Sequence, residues 1–493
     1  MSVLRKTNKN LLAFLVLFFN LCPSTLLAQA SQNYNSAEKP NIIYILVDDM
    51  GYGDLGCYGQ EVLKTPFIDQ MAAEGIKFTQ HYAGSTVCAP SRASLMTGRD
   101  PGHSWVRGNY ETGKHGFGGE LELRPEDITL GEILKQRAGY STAMIGKWGM
   151  GMDGTTGEPN KKGFDYSYGF LNQAHAHWHF PAYLYRNGKK ESVARNVDGK
   201  RGYFSNDIFT DEAVQFISTA REDPFFLYLA YTIPHAELLV PRDTVFEYFK
   251  GQFDEVPYIA SMAGSDGKDS LGYYRSQAYP KAAYAAMITH IDNAVQTILE
   301  TLKNKGLDEN TIVMFSSDNG PHKEGGANPD YFDSNGALRG AKRDLYEGGI
   351  RVPFIVRWPD KIAAGRESNH ISAFWDVLPT LAELAGADID DVSTEGISIL
   401  PTLLGKEKQQ VKHDYLYWEF HEDQYSHQAV RKGKWKAVRK DPKGPIALFN
   451  LENDISETKD LSEDNGALVT EMEEIMKGAR TENPYWKLKS SAE

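Results

Sequence analysis

The chain has 493 residues, a net charge of −13, 41% hydrophobic residues and a mean hydropathy of −0.46. This composition speaks against a membrane-spanning or disordered protein, and the acidic balance speaks against nucleic acid or an anionic membrane as partner. It also sets a condition on any polyanionic substrate, because the site would have to concentrate positive charge locally.

Lys6 and Lys9 precede an apolar run from Leu11 to Phe19, and Ala28-Gln29-Ala30 offers a small-x-small cleavage site. Residues 1–30 therefore read as a signal peptide, which implies export to the periplasm or beyond the cell. The apolar run is too short to span a bilayer. A lipid anchor at Cys22 is the alternative, although Phe19-Asn20-Leu21 lacks the small residue expected beside a lipidated cysteine. After cleavage Cys57 and Cys88 remain of the three cysteines. Two are too few for a disulfide framework in a chain this long, which leaves two inert buried thiols or a single bridge.

From Pro40 onward the pattern is strand, glycine-rich loop and helix. Asn41 to Val47 is a continuous apolar, β-branched run, as expected of a strand buried on both faces, and it ends in Asp48-Asp49. Helical patterns follow at Thr129–Arg137 and Asp207–Ser218, a strand at Phe225–Tyr231, and a longer helix at Tyr284–Lys303. Thr311 to Phe315 is a second buried strand, ending in Ser316-Ser317-Asp318-Asn319-Gly320, and Val352–Trp358 is a further one. The alternation predicts an α/β domain over 38–388, with helices flanking a mostly parallel sheet. After about Ala387 the runs shorten: Tyr415–Phe420, Gln428–Arg431 and Trp435–Val438, then a helix over Ala467–Ala479. These predict a smaller antiparallel α+β domain over 389–493.

In open α/β sheets ligands gather at the carboxyl ends of strands. Asp48, Asp49, Asp318 and Asn319 would meet there, and oxygen donors alone suit Ca²⁺ or Mg²⁺. Capping and turn-forming is the plain alternative. Cys88 stands just before Pro90, a residue suited to a first helical turn, so it is expected near a helix N-terminus, where N–H groups favour an anion. Lys432, Lys434 and Lys436 alternate as if along one face of a strand, either an anion-binding rim or a plain solvated face.

The run Cys88-Ala89-Pro90-Ser91-Arg92-Ala93-Ser94-Leu95-Met96-Thr97-Gly98-Arg99 matches Cys-x-Pro-Ser-Arg-x-x-Leu-x-Thr-Gly-Arg at every specified place. In this it resembles the formylglycine-dependent sulfatases. The resemblance extends to Gly146-Lys147-Trp148, Pro234-His235, Ser317-Asp318-Asn319-Gly320, Gly340-Ala341-Lys342, Glu347 to Pro353 and Arg431 to Lys436. It implies an alkaline-phosphatase-like α/β domain with a small C-terminal domain. It also implies that a formylglycine-generating enzyme oxidises Cys88 during maturation. The hydrated aldehyde then offers one hydroxyl for attack on sulfur and a second whose deprotonation expels sulfate. By the same resemblance Asp48, Asp49, Asp318, Asn319 and the modified Cys88 hold Ca²⁺. Arg92 steadies the nucleophile, Lys147 and Lys342 clamp the sulfate, and His235 is the general acid. Those cations would supply the local positive charge that the composition lacks.

One position departs from the family. Many relatives carry histidine after Gly-Lys-Trp, where it helps deprotonate the second hydroxyl; here that place is Gly149. His175 and His177 downstream would share a face in an extended segment, which makes them candidates for the missing function or for lining the substrate groove. Trp105, Trp178, Tyr183, Tyr185 and Tyr203 offer flat faces suited to sugars. The expected substrate is a sulfated carbohydrate. A formylglycine-dependent phosphodiester or phosphonate monoester hydrolase is one alternative, and a non-catalytic glycan-binding protein with an unmodified Cys88 is another.

Overall fold

The computed structural model describes residues 39–109, 121–260 and 274–491. The signal-peptide expectation, with Cys22, lies outside them. Among the described residues no helix is long and apolar enough to cross a membrane.

The buried runs form the middle of a large sheet. Asn41–Asp48 lies between Phe225–Pro234 and Thr311–Ser317 and is parallel to both, pairing Ile42 with Phe226 on one side and Ile312 on the other. Beyond Phe225–Pro234 come Ser141–Lys147 and Tyr166–Phe170, also parallel, then a short antiparallel pair, Tyr183–Arg186 and Lys189–Ser192. On the other side Arg351–Arg357 runs antiparallel to its neighbours, and Ile76–Tyr82 follows it. Alternate residues of Asn41–Asp48 serve two cores. Ile43, Ile45 and Val47 pack with the helices Ser205–Ser218 and Pro280–Lys305; Ile42, Tyr44 and Leu46 pack with Leu130–Ala138 and Val377–Ala385. Strands apolar on both faces need a helix layer on each, so the run of β-branched residues and the three-layer architecture are one fact.

The C-terminal sheet is antiparallel and orders Leu416–Phe420, His427–Lys432, Trp435–Arg439 and Ala447–Asn450. Tyr417, Val430, Ala437 and Leu448 pack beneath the helix Gly466–Gly478 through Met472 and Met476. The opposite face, with Trp418, Phe420, Ala429 and Val438, packs on Tyr82, Val87 and Trp375 of the larger layer. Both sheets belong to one compact unit, Ala37–Glu493.

Two expectations fail here. Lys432, Lys434 and Lys436 do not share a face, because the chain turns at Gly433 (φ 55°); Lys436 returns on the next strand, fully buried against Glu347 at 2.8 Å. A bridge between Cys57 and Cys88 is likewise ruled out, as both thiols are free.

Candidate active site

Two strand ends and one helix start define the site. Neighbouring residues of a strand point to opposite faces, so Asp48 and Asp49 would diverge if the strand simply continued. Instead Asp49 adopts a left-handed φ of 65°, uncommon for a residue with a Cβ, and both carboxylates turn into one space. The Asp49 N–H donates to Asp318 Oδ1 at 3.1 Å. The Cys88 thiol donates to Asp48 Oδ1 at 3.3 Å and lies 3.9 Å from Asp49 Oδ1. Asp48, Asp49, Asp318 and Cys88 thus present ligand atoms within 4.8 Å of one another, all of them buried.

The helix Cys88–Thr97 begins at the cysteine itself, with Val87 as its N-cap, one residue earlier than the position of Pro90 suggested. Its first turn carries no acidic residue. At the far end Gly98 (φ 67°) caps the helix, and a Cβ there would lie 2.7 Å from Thr394 Oγ1, which accounts for glycine in the run. Arg92, one turn after Cys88, gives its guanidinium to the surrounding groups. Nε and Nη2 donate to Asp318 Oδ2 at 3.0 and 2.8 Å, and Nη1 donates to the Lys147 carbonyl at 2.8 Å. It therefore steadies the carboxylates around Cys88.

The lysines arrive from opposite sides. Lys147, at the end of its strand, places Nζ 2.6 Å from Asp48 Oδ2. Lys342 Nζ lies 2.8 Å from Asp49 Oδ2, 2.9 Å from His235 Nε2 and 3.3 Å from Glu324 Oε2. Glu324 and His322 were not legible as site residues. His322 stacks on His235 at 5.4 Å and bonds the Pro234 carbonyl at 3.0 Å. Their one signal was position, a few residues after the Asp318-Asn319-Gly320 strand end.

Burial pushes the Asp318 carboxyl up to about 7, with repulsion from Asp48 adding to it and Arg92 opposing. Burial also acts upward on Asp48, but Lys147, His235 and Arg92 overcome it and hold that carboxyl well below its usual range. Burial and the Asp48 charge raise the Cys88 thiol well above its ordinary value, so the unmodified side chain is a neutral thiol and a weak nucleophile. The donor set fits a hard cation: three carboxylates converge, and Asn319, whose Nδ2 donates to Asp49 Oδ1 at 2.7 Å, keeps a buried Oδ1 with no hydrogen-bond partner.

The gap at Gly149 has a steric reason. Its φ is +76°, a left-handed conformation that strains any residue with a Cβ, and a Cβ there would also have to displace the Gln173 amide, 2.0 Å away. Gln173–Ala176 is a helical turn ending at His177, which overturns the extended segment with its shared histidine face. His175 instead enters an aromatic cluster of Phe170, Trp178 and Tyr183. His177 alone of the two reaches the site, where its ring stacks on His235 at 4.7 Å and 12° and its Nδ1 has no hydrogen-bond partner.

A buried thiol at a helix start, converging carboxylates and a pair of lysines, all at the carboxyl end of a flanked parallel sheet, suit an α/β enzyme that cleaves anionic esters. The family model "Sulfatase" matches residues 40–387, and that of the N-sulphoglucosamine sulphohydrolase C-terminal region matches 340–482. The chain belongs to the sulfatase family and is a sulfuric ester hydrolase with the alkaline-phosphatase-like fold. It is 33% identical to an arylsulfatase of Hemicentrotus pulcherrimus over 84% of this chain and 70% of that one. It is 32% identical to human arylsulfatase A over 84% and 78%, and 29% identical to an N-acetylgalactosamine-6-O-sulfatase of Bacteroides thetaiotaomicron over 91% and 94%. The crystal structure of Ps i-CgsB superposes with a TM-score of 0.74 at 32% identity, covering 90% of this chain and 93% of that one. The same protein in complex with k-i-k-neocarrahexaose gives 0.72.

Proposed function

We propose that this protein is an exported sulfatase that removes sulfate from a sulfated glycan, with Cys88 matured to formylglycine and Ca²⁺ as its metal. The carrying observation is the place of Cys88, first residue of the signature helix and in contact with Asp48 and Asp49. Similarity to an N-acetylgalactosamine-6-O-sulfatase and to Ps i-CgsB supports the glycan.

Asp48, Asp49, Asp318 and Asn319, with residue 88, would hold the calcium ion, which when bound draws charge from the sulfate oxygens and acidifies the attacking hydroxyl. Hydrated formylglycine supplies the two hydroxyls, one for attack and one for release. Lys147 and Lys342 turn from Asp48 and Asp49 toward the sulfate oxygens. His235 Nε2 takes a hydrogen bond from Lys342 Nζ at 2.9 Å, and the proton for the departing alkoxide comes from that ammonium through His235, the general acid. Arg92 fixes Asp318 and so the nest around residue 88. His177 stands in for the histidine that Gly149 replaces, accepting the proton that release of sulfate requires; His175 shapes the adjoining wall.

Mass spectrometry of the peptide carrying residue 88, from protein exported by its native host, tests the maturation, because the aldehyde is lighter than the thiol. An unmodified thiol refutes the mechanism and favours a non-catalytic glycan binder. Faster turnover of an aryl phosphate diester than of an aryl sulfate would reassign the substrate class.

A further inference from the structure

Where the edge of the large sheet meets the C-terminal sheet there is a cavity with no role in the scheme above. Its volume is about 410 Å³, and Arg431, Lys412, His370, His413, Tyr415 and Glu407 are among the residues lining it; ligand sites have this size. Part of the lining, Ser368 to Ile371, continues the edge strand Arg366–Ser368. That strand is parallel to Ile76–Tyr82, which is antiparallel to Arg351–Arg357, itself antiparallel to Thr311–Ser317. Arg366–Ser368 therefore runs in the same direction as Asn41–Asp48. The cavity thus lies toward the carboxyl end of the sheet, where Asp48 and Asp49 also lie and where ligands gather. Three strands separate Arg366–Ser368 from Asn41–Asp48 in the sheet, a distance of about 19 Å.

Arg431 brings the charge of the junction to this cavity. It is buried. Its Nε donates to the Gly433 carbonyl at 3.2 Å and its Nη2 donates to Gln80, while Nη1 has no hydrogen-bond partner and stands 3.6 Å from Glu347 Oε2. That oxygen already accepts from Tyr82 and Arg351, and Glu347 Oε1 accepts from Lys436. Three cations thus gather at one carboxylate, and burial pushes the nearby Glu457 carboxyl up to about 7. Burial also presses the Arg431 guanidinium down to about 10, against the pull of Glu457. Lys412 is exposed and forms no hydrogen bond or close ion pair with another described residue. His413 Nε2 lies 2.7 Å from Asp376 Oδ1; burial lowers this imidazole, but Asp376 overcomes it and raises the group above its ordinary value. Glu407, the acid in the lining, is engaged by Arg366.

The lining therefore carries uncompensated positive charge in a protein of net charge −13. Cations set in a low-dielectric wall attract an anion more strongly than cations in open water, and a guanidinium fork fits the oxygens of a sulfate or carboxylate. Tyr415 offers an exposed ring to the sugar that bears the anion. We propose that this cavity is a second glycan-binding site, which holds a sulfate or carboxylate on a sugar remote from the scissile ester. One glycan chain is then gripped at two points along the carboxyl edge of the sheet. That the anion belongs to the enzyme's own substrate rests on the sulfatase reading of the Cys88 site.

The test uses the full chain as wild type and as Lys412→Glu, an exposed charge reversal that should leave the melting temperature unchanged. Calorimetry compares oligosaccharides of dextran sulfate, of alginate (a polyuronate) and of neutral dextran. An anionic chain should bind about tenfold more weakly to Lys412→Glu, the scale of one charge-assisted contact, and neutral dextran should not bind. Whichever anionic chain loses affinity identifies the group as sulfate or carboxylate. Affinities that the substitution leaves unchanged, or equal binding of neutral dextran, overturn the site. Competition against aryl sulfate hydrolysis reads the second grip. Long dextran sulfate chains should inhibit wild type more strongly than a sulfated disaccharide does. Lys412→Glu should remove that advantage, with aryl sulfate kcat and KM and inhibition by the disaccharide as in wild type. Inhibition independent of chain length, or weakened equally for short and long chains, overturns the two-point grip. If aryl sulfate is not hydrolysed, the Cys88 reading alone has failed, and calorimetry still decides the cavity.

Discussion

The carboxylates of Asp48, Asp49 and Asp318 and those of Glu347 and Glu457 are equally sheltered from solvent, yet their partners differ. Glu347 stands where the two sheets meet. Its Oε1 accepts from Lys436 Nζ at 2.8 Å, and its Oε2 accepts from Tyr82 at 2.6 Å and Arg351 at 3.2 Å, with Arg431 3.6 Å away. At the strand ends three carboxylates crowd together, Asp318 is driven toward neutrality, and Asn319 keeps an unpartnered Oδ1. Both are buried ionic clusters. Each cluster keeps one buried oxygen with no hydrogen-bond partner, Glu457 Oε1 at the junction and Asn319 Oδ1 at the strand ends. What separates them is the company: cations from both sheets surround the junction carboxylates, whereas the strand-end carboxylates crowd one another beside a nucleophile position.

Breaking each cluster should therefore fail in a different measurement. Cys88→Ala should lower sulfate release by about 10³-fold or more, the scale of losing a covalent nucleophile, and leave the melting temperature unchanged. Lys436→Met should do the reverse. Stranding Glu347 costs about 3–5 kcal/mol, read by denaturant titration, while aryl sulfate kcat stays near wild type. Asn319→Ala should weaken calcium binding by about 10–100-fold, the range seen when groups supporting a metal site are lost, measured by titrating calcium into chelator-treated protein. The junction also has a pH signature. Burial pushes the Glu457 carboxyl up to about 7, Lys436 holding it back and Glu347 adding to the rise. Its folded value then exceeds its unfolded one, so it binds its proton more tightly when folded, and stability falls as pH rises from the ordinary glutamate range through about 7. Glu457→Gln should flatten that part of the stability profile. Lys432→Ala, which removes an exposed contact to Glu471, should change neither activity nor stability measurably.

The central strands were legible because a strand buried on both faces needs an unbroken apolar run, and Asn41–Val47 and Thr311–Phe315 are such runs. The Cys88 segment was legible because each specified residue has a fixed task, Gly98 as a left-handed cap among them. The histidine loop was misread for want of a periodicity: His175 and His177 are two apart in either conformation, and only the helical turn at Gln173–Ala176 sends one to aromatics and the other to His235. Lys432 to Lys436 misled for a related reason. Alternation looks the same along one strand as across a turn, and Gly433 was the residue that told them apart. Glu324 comes from a loop of its own, so no local pattern announces it.

Cys88 is 2% exposed, closed in by the helix it begins and by Asp48 and Asp49. A catalyst that must grip this thiol finds no approach to it once the sheet has formed. The oxidation proposed for it is therefore a race, run while the segment is still extended, and its finishing line is the closing of the strand ends over residue 88. On that proposal, the active fraction of a preparation would record how quickly the chain folded relative to how soon an oxidising enzyme met it. A substitution that slows folding without touching the site would raise that fraction, and one that hastens it would leave more molecules native, stable and permanently inert.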